Sequence, residues 1–259
     1  CRTRELMGTT LGLINTLPIV TLTLLQFSGG RAIRAVAFFS LLPVLFSLIY
    51  LIDSGGQSAG TFMNDVFQDF GVPVLVPLVT LILATGAIGD EIEDRTLAYL
   101  VLKPMSRFRI VAEKFFAVVI ISTLALWLGM ILTWLIAARG SAPDSVDVVS
   151  SLGIAIFAGV LGYGAAFLLV SLIIPRALVV GIIYTIIWEG LLSRPDLLPG
   201  AWVMSIRHYV LSIQTRILGD SAPPLDSAVQ LFPAIAFIVL VVAVSLALTT
   251  LRLRTMNIE

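Results

Sequence analysis

The residues of this chain that could do chemistry are few, and the densest group is the run GDEIEDRTLAYLVLKPMSRFRIVAEKF, Gly89 to Phe115. Asp90, Glu91, Glu93 and Asp94 open a predicted helix, where carboxylates complement the positive end of the helix dipole. Glu91 and Arg95 stand at i,i+4 in the favourable order, and Leu97, Leu100 and Val101 form an apolar ridge. Lys103 before Pro104 ends the helix, because the residue preceding proline is pushed out of the helical region. Ser106 is placed to cap a second helix, into which Arg107 and Arg109 lead. This pattern makes and breaks no bonds. It is a short helix-turn-helix suited to docking on a partner, and its plainer reading is a basic loop.

Other constellations are weaker. Gly56-Gln57-Ser58-Ala59-Gly60 matches the nucleophile elbow G-x-S-x-G, and the chain has one histidine, His208. The elbow works because a strand delivers the serine to a sharp turn before a helix, and no α/β pattern surrounds it. A flexible Gly/Ser loop is the better reading. No catalytic residue is assigned. No HExxH or comparable metal cluster occurs, so no metal site is expected. The two lysines, Lys103 and Lys114, follow Leu and Glu, so there is no P-loop to hold nucleotide phosphates. Glu189 is the one acid well inside a long apolar run, where a charge costs ~2.5–3.5 kcal/mol at the bilayer centre. It either lines a pathway or couples motion within the membrane, or it is hydrogen-bonded to an adjoining loop or span.

The elements that must position these residues are transmembrane helices. Of 259 residues 58% are apolar and 12% charged, half the charge a soluble domain carries, and the mean hydropathy is +1.04. Sixteen cations balance sixteen acids, which leaves no basic field for nucleic acid. One cysteine excludes an internal disulfide. The chain opens on Cys1, which a trimmed leader accounts for more simply than a lipidated cysteine.

A bilayer core takes about 20 helical residues. Apolar runs of that order predict spans at Ala35 to Ile52, Phe70 to Gly89, Phe115 to Ala138, Ser150 to Ile174 and Val229 to Leu251, with a shorter sixth at Ala177 to Leu192. These runs are apolar on all sides, unlike the alternating strands of a β-barrel. With both termini cytoplasmic, twelve cations fall inside and four outside, namely Arg139, Arg194, Arg207 and Arg216, as the positive-inside rule requires. The first outer loop is then Asp53 to Asp69. Residues 6–30 carry a stripe of Leu13, Leu17, Val20, Leu24 and Phe27, which predicts a helix over about 10–28 lying in the inner interface rather than a seventh span. In the outer stretch Ser193 to Ser227, Trp202, Ile206, Val210, Ile213 and Ile217 share one helical face, with Arg207, Gln214 and Arg216 away from it. That predicts an amphipathic helix resting on, or dipping into, the outer leaflet. Small residues recur on the fourth span as Ala158, Gly162, Ala166 and as Ala155, Gly159, which allows close helix approach within the subunit or across a dimer.

The run Glu91-x-x-x-Arg95-Thr96-Leu97, followed by Pro104-x-Ser106-Arg107 and Lys114, resembles the cytoplasmic segment after the second span of ABC-2 type permeases. The likeness extends over most of the chain, read as one permease domain, 1–259. It implies an all-α fold of six spans with an N-terminal interfacial helix, a cytoplasmic coupling helix and an outer amphipathic helix. It further implies that Glu91, Arg95, Thr96, Leu97, Leu100, Pro104 and Arg107 couple the chain to a cytoplasmic ABC ATPase dimer. ATP and Mg would then be bound by that partner, with no cofactor in this chain. The implied assembly is a homodimer of permeases in the lipid of the inner membrane, exporting a substrate. The alternative is a membrane scaffold or sensor that uses the same segment only to recruit a partner.

Overall fold

The computed structural model describes residues 31–52, 56–89, 106–139, 145–174, 176–192, 200–219 and 228–255. The expectations for residues 6–30 and 90–105, including the interfacial helix and most of the coupling segment, lie outside the described residues. Within them seven helices and a short 3-10 turn, Ala201–Met204, follow one another and no strand occurs. They are α1, Arg31–Ile52; α2, the continuous run 59–89; α3, Arg107–Ala138; α4, Val146–Ile173; α5, residues 177–192; α6, Ile206–Leu218; and α7, Leu231–Thr255. Five of them, α1, α2, α3, α4 and α7, are long and apolar enough to cross a membrane, and α5 is a shorter apolar helix. The chain is therefore an all-helical, multi-pass membrane protein.

Contacts between helix ends define the bundle's axis. The end where α3 begins and α7 finishes is called the base here, because Arg107 donates to the Leu253 carbonyl. The opposite end is the top, where Arg139, after α3, donates to the Leu51 carbonyl of α1 at 3.4 Å. The α2 helix is innermost, with 83% of its apolar window buried. The α1 and α7 helices, at 22% and 17%, lie outermost, with Phe38, Leu45, Ile49, Phe232, Leu240 and Leu251 among the side chains turned outward.

Local chemistry explains the less regular stretches. Ser58 caps α2, its hydroxyl accepting the Thr61 N–H at 3.2 Å, so the G-x-S-x-G motif is a helix start. The α2 helix widens to π geometry over Phe67–Leu75 and again over Thr85–Gly89. Pro73 and Pro77 each lack an N–H for the α-helical ladder, and a widened turn absorbs that loss. Since α2 begins at 59, eleven residues before the expected Phe70, the supposed outer loop Asp53 to Asp69 is largely helix. Its polar residues hid it from a hydropathy reading. The α5 helix is α-helical over Ala177–Ile183 and π-helical over Tyr184–Leu192.

The expectation for α6 needs a larger correction. The helix exists, but it is packed inside the bundle against α4, α7 and α2 rather than laid on a leaflet. Ile206, Val210 and Ile213 are buried as expected, and so are His208, Ser212 and Gln214 on other faces. An apolar stripe shows that a face needs cover; it does not tell lipid from protein. The cover comes from the small residues of α4. A Cβ on Gly159 would stand 3.0 Å from Val76 and 3.5 Å from Val210, and one on Gly162 would stand 3.2 Å from Ile206. These rows thus pack within the subunit.

The α1 and α3 helices cross at close range. A Cβ on Gly129 would run into the carbonyl oxygen of Ser40, whereas one on Gly153 would meet only an ordinary contact with Met130. Gly129→Val must therefore force α1 and α3 apart, at a cost of ~1–3 kcal/mol or more. A lowered unfolding temperature for Gly129→Val in detergent, beside a near-parental value for Gly153→Ala, is the expected result.

Candidate functional site

The site grows from where α6 begins. Ile206 packs against Gly162 of α4, which lies 16 residues from that helix's first residue and 11 from its last. At 1.5 Å per residue this is roughly 24 Å below the top of α4 and 16 Å above its base. The helix then climbs, with Val210 against Gly159 and Val76, and Gln214 against Asn64 in the first turns of α2. So α6 starts deep in the bundle and ends near the top, where Arg216 donates to the carbonyls of Ala228 and Val229.

A helix N-terminus carries N–H groups without intrahelical partners and a partial positive charge. At this depth they must be satisfied by protein. Ser205 caps α6, its hydroxyl accepting the His208 N–H at 3.4 Å and donating to Glu189 Oε2 at 2.6 Å. Tyr184 donates to Glu189 Oε1 at 2.9 Å, and Arg207 donates to the Glu189 carbonyl at 3.2 Å. The π-helical turn brings Tyr184 and Glu189, five residues apart, onto one face. Tyr163, fully buried on α4, turns its hydroxyl toward the same carboxylate without forming a close hydrogen bond. Glu189 itself is fully buried. It is thus a polar hub where α4, α5 and α6 meet, at the half-depth of the bundle.

The upper part of α6 is held differently. Asn64 Oδ1 accepts from Gln214 Nε2 at 2.7 Å and from Gln68 Nε2 at 3.2 Å, and Gln68 also approaches Gln214 Oε1 at 3.4 Å. Three neutral amides therefore clasp α6 to α2. Gln214 and Asn64 are buried, so the clasp replaces water they have lost.

A second polar region lies at the base, where residues 90–105 join the bundle. Ser106 caps α3, accepting the Arg109 N–H at 3.4 Å, as its position predicted. Arg109 pairs with Glu113 at 2.7 Å. Lys114, buried to 1% exposure, sends its amine to the carbonyl of Ala87 in the last described turn of α2. With Arg107 on the Leu253 carbonyl, the ends of α2, α3 and α7 are tied together just where the segment leaves and returns.

The family model for the ABC-2 family transporter protein matches residues 31–189. That is more than half of the chain, and it runs from α1 through Glu189. The chain belongs to the ABC-2 transporter family. Comparison with curated proteins finds no match. Membership makes this chain a membrane-embedded permease subunit of an ABC transporter rather than a catalytic chain.

For an ABC-2 protein the expected coupling residues are the first to place. Glu91, Arg95, Thr96, Leu97, Leu100 and Pro104 lie outside the described residues, and Arg107 joins α3 to α7 as described. Ser58 is a helix cap and His208 is buried in α6 with its ring edge-on to Tyr209, so the elbow motif and the histidine have structural roles. Among the described residues no group of three or more His, Cys, Asp or Glu is arranged to hold a metal. Sequence reasoning passed over Ser205, Tyr184, Asn64, Gln68 and Gln214. One signal was available: Asn64 and Gln68 stand at i,i+4, an amide pair on one helical face in a stretch otherwise rich in Phe and Val.

Replacing Glu189 by Leu strands the hydroxyls of Ser205 and Tyr184, each at about 1–3 kcal/mol. The N-terminal turns of α6 should then exchange amide hydrogens faster, while Glu189→Gln, which keeps an acceptor oxygen, should show a smaller change. Unaltered exchange over 206–210 in Glu189→Leu would show that the hub does not hold α6.

Proposed function

We propose that this chain is the permease half of an ATP-driven exporter, a six-span subunit with both termini cytoplasmic that pairs with a second copy and with two ATPase subunits. The observation that carries the reading is the ABC-2 family match over residues 31–189. The α5 helix counts as the fifth span, short of a full crossing because α6 occupies the upper half of the bundle beside it. The base faces the cytoplasm, in keeping with the cation count, and residues 90–114 meet the ATPase. ATP and Mg are bound by that partner, since no P-loop is present here. Export is the direction the family resemblance implies.

In this mechanism nucleotide-driven closure of the ATPases moves the coupling helix, Glu91 to Lys103, and with it the base of the bundle. Docking needs the ridge of Leu97, Leu100 and Val101 to be covered, because an apolar ridge in water calls for a partner. Burying one leucine contributes ~1.5–3 kcal/mol. Glu189 is the best-placed acid to couple that motion to the membrane interior, because it joins three helices at half-depth.

Leu97→Asp or Glu91→Lys should release the ATPase, or abolish its stimulation by the permease, while the permease still inserts. Co-purification of both variants at parental stoichiometry with stimulated hydrolysis intact would sink the docking assignment and move the scaffold reading ahead. For sidedness, a cysteine placed at Ser221 in a Cys1-free background should react with an impermeant thiol reagent in intact cells, and one at Met105 should not. The reverse pattern inverts the topology.

A further inference from the structure

The α6 helix meets its neighbours with two kinds of chemistry. Toward α4 and α7 it is apolar: Ile206 and Val210 meet the glycines of α4, and the Tyr209 ring stacks on Phe237 of α7 with centroids 3.8 Å apart. Its upper end is also fastened to the start of α7, where Ser212 accepts the Val229 N–H at 3.2 Å and Arg216 donates to the carbonyls of Ala228 and Val229. Toward the upper turns of α2 the contact is polar, the clasp of Asn64, Gln68 and Gln214. That seam grades outward into water-compatible groups, since Gln68 is half-buried and the next residues along α2 from Asn64 and Gln68, Asp65 and Asp69, are exposed. Below the clasp the seam is dry, with Val76 and Val210, both buried, closing over Gly159. Buried amides are a costly way to join two helices for good. Apolar side chains of the same volume would hold them about as well, because replacing both partners of a buried hydrogen bond is near neutral or stabilising. What the amides add is reversibility: when the seam parts, water replaces each bond they give up.

We infer that the seam between α2 and α6 is a gate at the top of this permease: α6 pivots on its hub at Ser205 and Glu189, carries the start of α7 with it, and parts from α2 at the amide clasp, admitting water as far as Val76 and Val210. The hub serves as the pivot because the hydrogen bonds of Ser205 and Tyr184 to Glu189 hold only the first turn of α6. This inference rests on the ATP-driven reading above. It also separates two roles for the clasp. A fixed strut keeps working when its amides are made apolar, whereas a gate made apolar stays shut.

The test uses the complete permease–ATPase complex in nanodiscs, where reagents reach both faces, in a Cys1-free background with Val210→Cys as the reporter. Modification by a small charged thiol reagent is timed without nucleotide and with ATP plus vanadate, and permease-stimulated hydrolysis is read in the same samples. With the clasp intact the two rates should differ by about ten-fold or more, because a buried cysteine reacts only while the seam is open. The volume-matched variant Asn64→Leu, Gln68→Met, Gln214→Met should insert, bind the ATPase and react at the slower rate in both states. A parental nucleotide response in that variant overturns the gate. So does a reporter that stays silent in a complex whose hydrolysis is stimulated. Where Val210→Cys does not assemble, Val76→Cys across the seam takes its place. If the triple variant does not insert, Gln214→Met alone is read: Asn64 and Gln68 stay paired with each other, and the slower rate should rise about five-fold, the equivalent of one net hydrogen bond. An unchanged rate there overturns the gate. A complex without ATPase binding or stimulated hydrolysis refutes the ATP-driven reading and the gate with it, a result distinct from a silent seam with hydrolysis intact.

Discussion

The constraint on which the rest of this structure depends is the start of α6 at half-depth. Inside a bilayer every backbone N–H must find its partner within the protein, and the first turn of a helix has none of its own. Ser205 and Glu189 answer that demand, the hydroxyl accepting from His208 N–H and donating to a carboxylate that sits at the positive end of α6. The other features follow. The π turn of α5 is needed to bring Tyr184 over Glu189; the glycines of α4 are needed to admit Ile206 and Val210; and α2 must extend up to residue 59 to offer amides to Gln214.

The two attachments of α6 differ in chemistry, and the difference fits their positions. At half-depth the partner is a carboxyl group, whose two oxygens accept from Tyr184 and from Ser205 at once, each hydrogen bond contributing ~1 kcal/mol. Nearer the top the partners are amides, which can satisfy one another or water with little penalty for exchange. A helix held by a strong hub below and a neutral clasp above can open at its upper end first. The base uses cationic donors instead, with Lys114 and Arg107 reaching the carbonyls of Ala87 and Leu253.

The membrane class, five long helices and the Ser106 cap were legible in the sequence, because hydropathy and capping are local signals. The upper turns of α2 were not. Asn64, Asp65, Gln68 and Asp69 lower the hydropathy of that stretch, and a scale tuned to lipid exposure reads a helix with one polar face as a loop. The same limit hid the burial of α6: periodicity found the face of Ile206, Val210 and Ile213, while the partner of Gln214 lies 150 residues away in the chain. Glu189 could be singled out as costly in an apolar run. Its depth could not, because that depends on how far α5 climbs beside α4.

One element touches both polar regions of the molecule. The α2 helix carries Ala87 at the base, where Lys114 holds it, and Asn64 near the top, where it clasps α6. Whether a displacement at the base reaches the clasp depends on the stiffness of what lies between, and two π-helical stretches interrupt that path. The upper one is not an empty widening. The Phe67 ring lies close over Gly71 within the same widened turn, 2.5 Å from where a Cβ of that glycine would stand, and both residues are buried. The lower stretch, Thr85–Gly89, is met at the Ala87 carbonyl by the amine of Lys114 from α3. The α2 helix is therefore steadied by ring packing in one place and by a cationic hydrogen-bond donor in the other. That donor lies at the base, the end from which the chain runs on into residues 90–105.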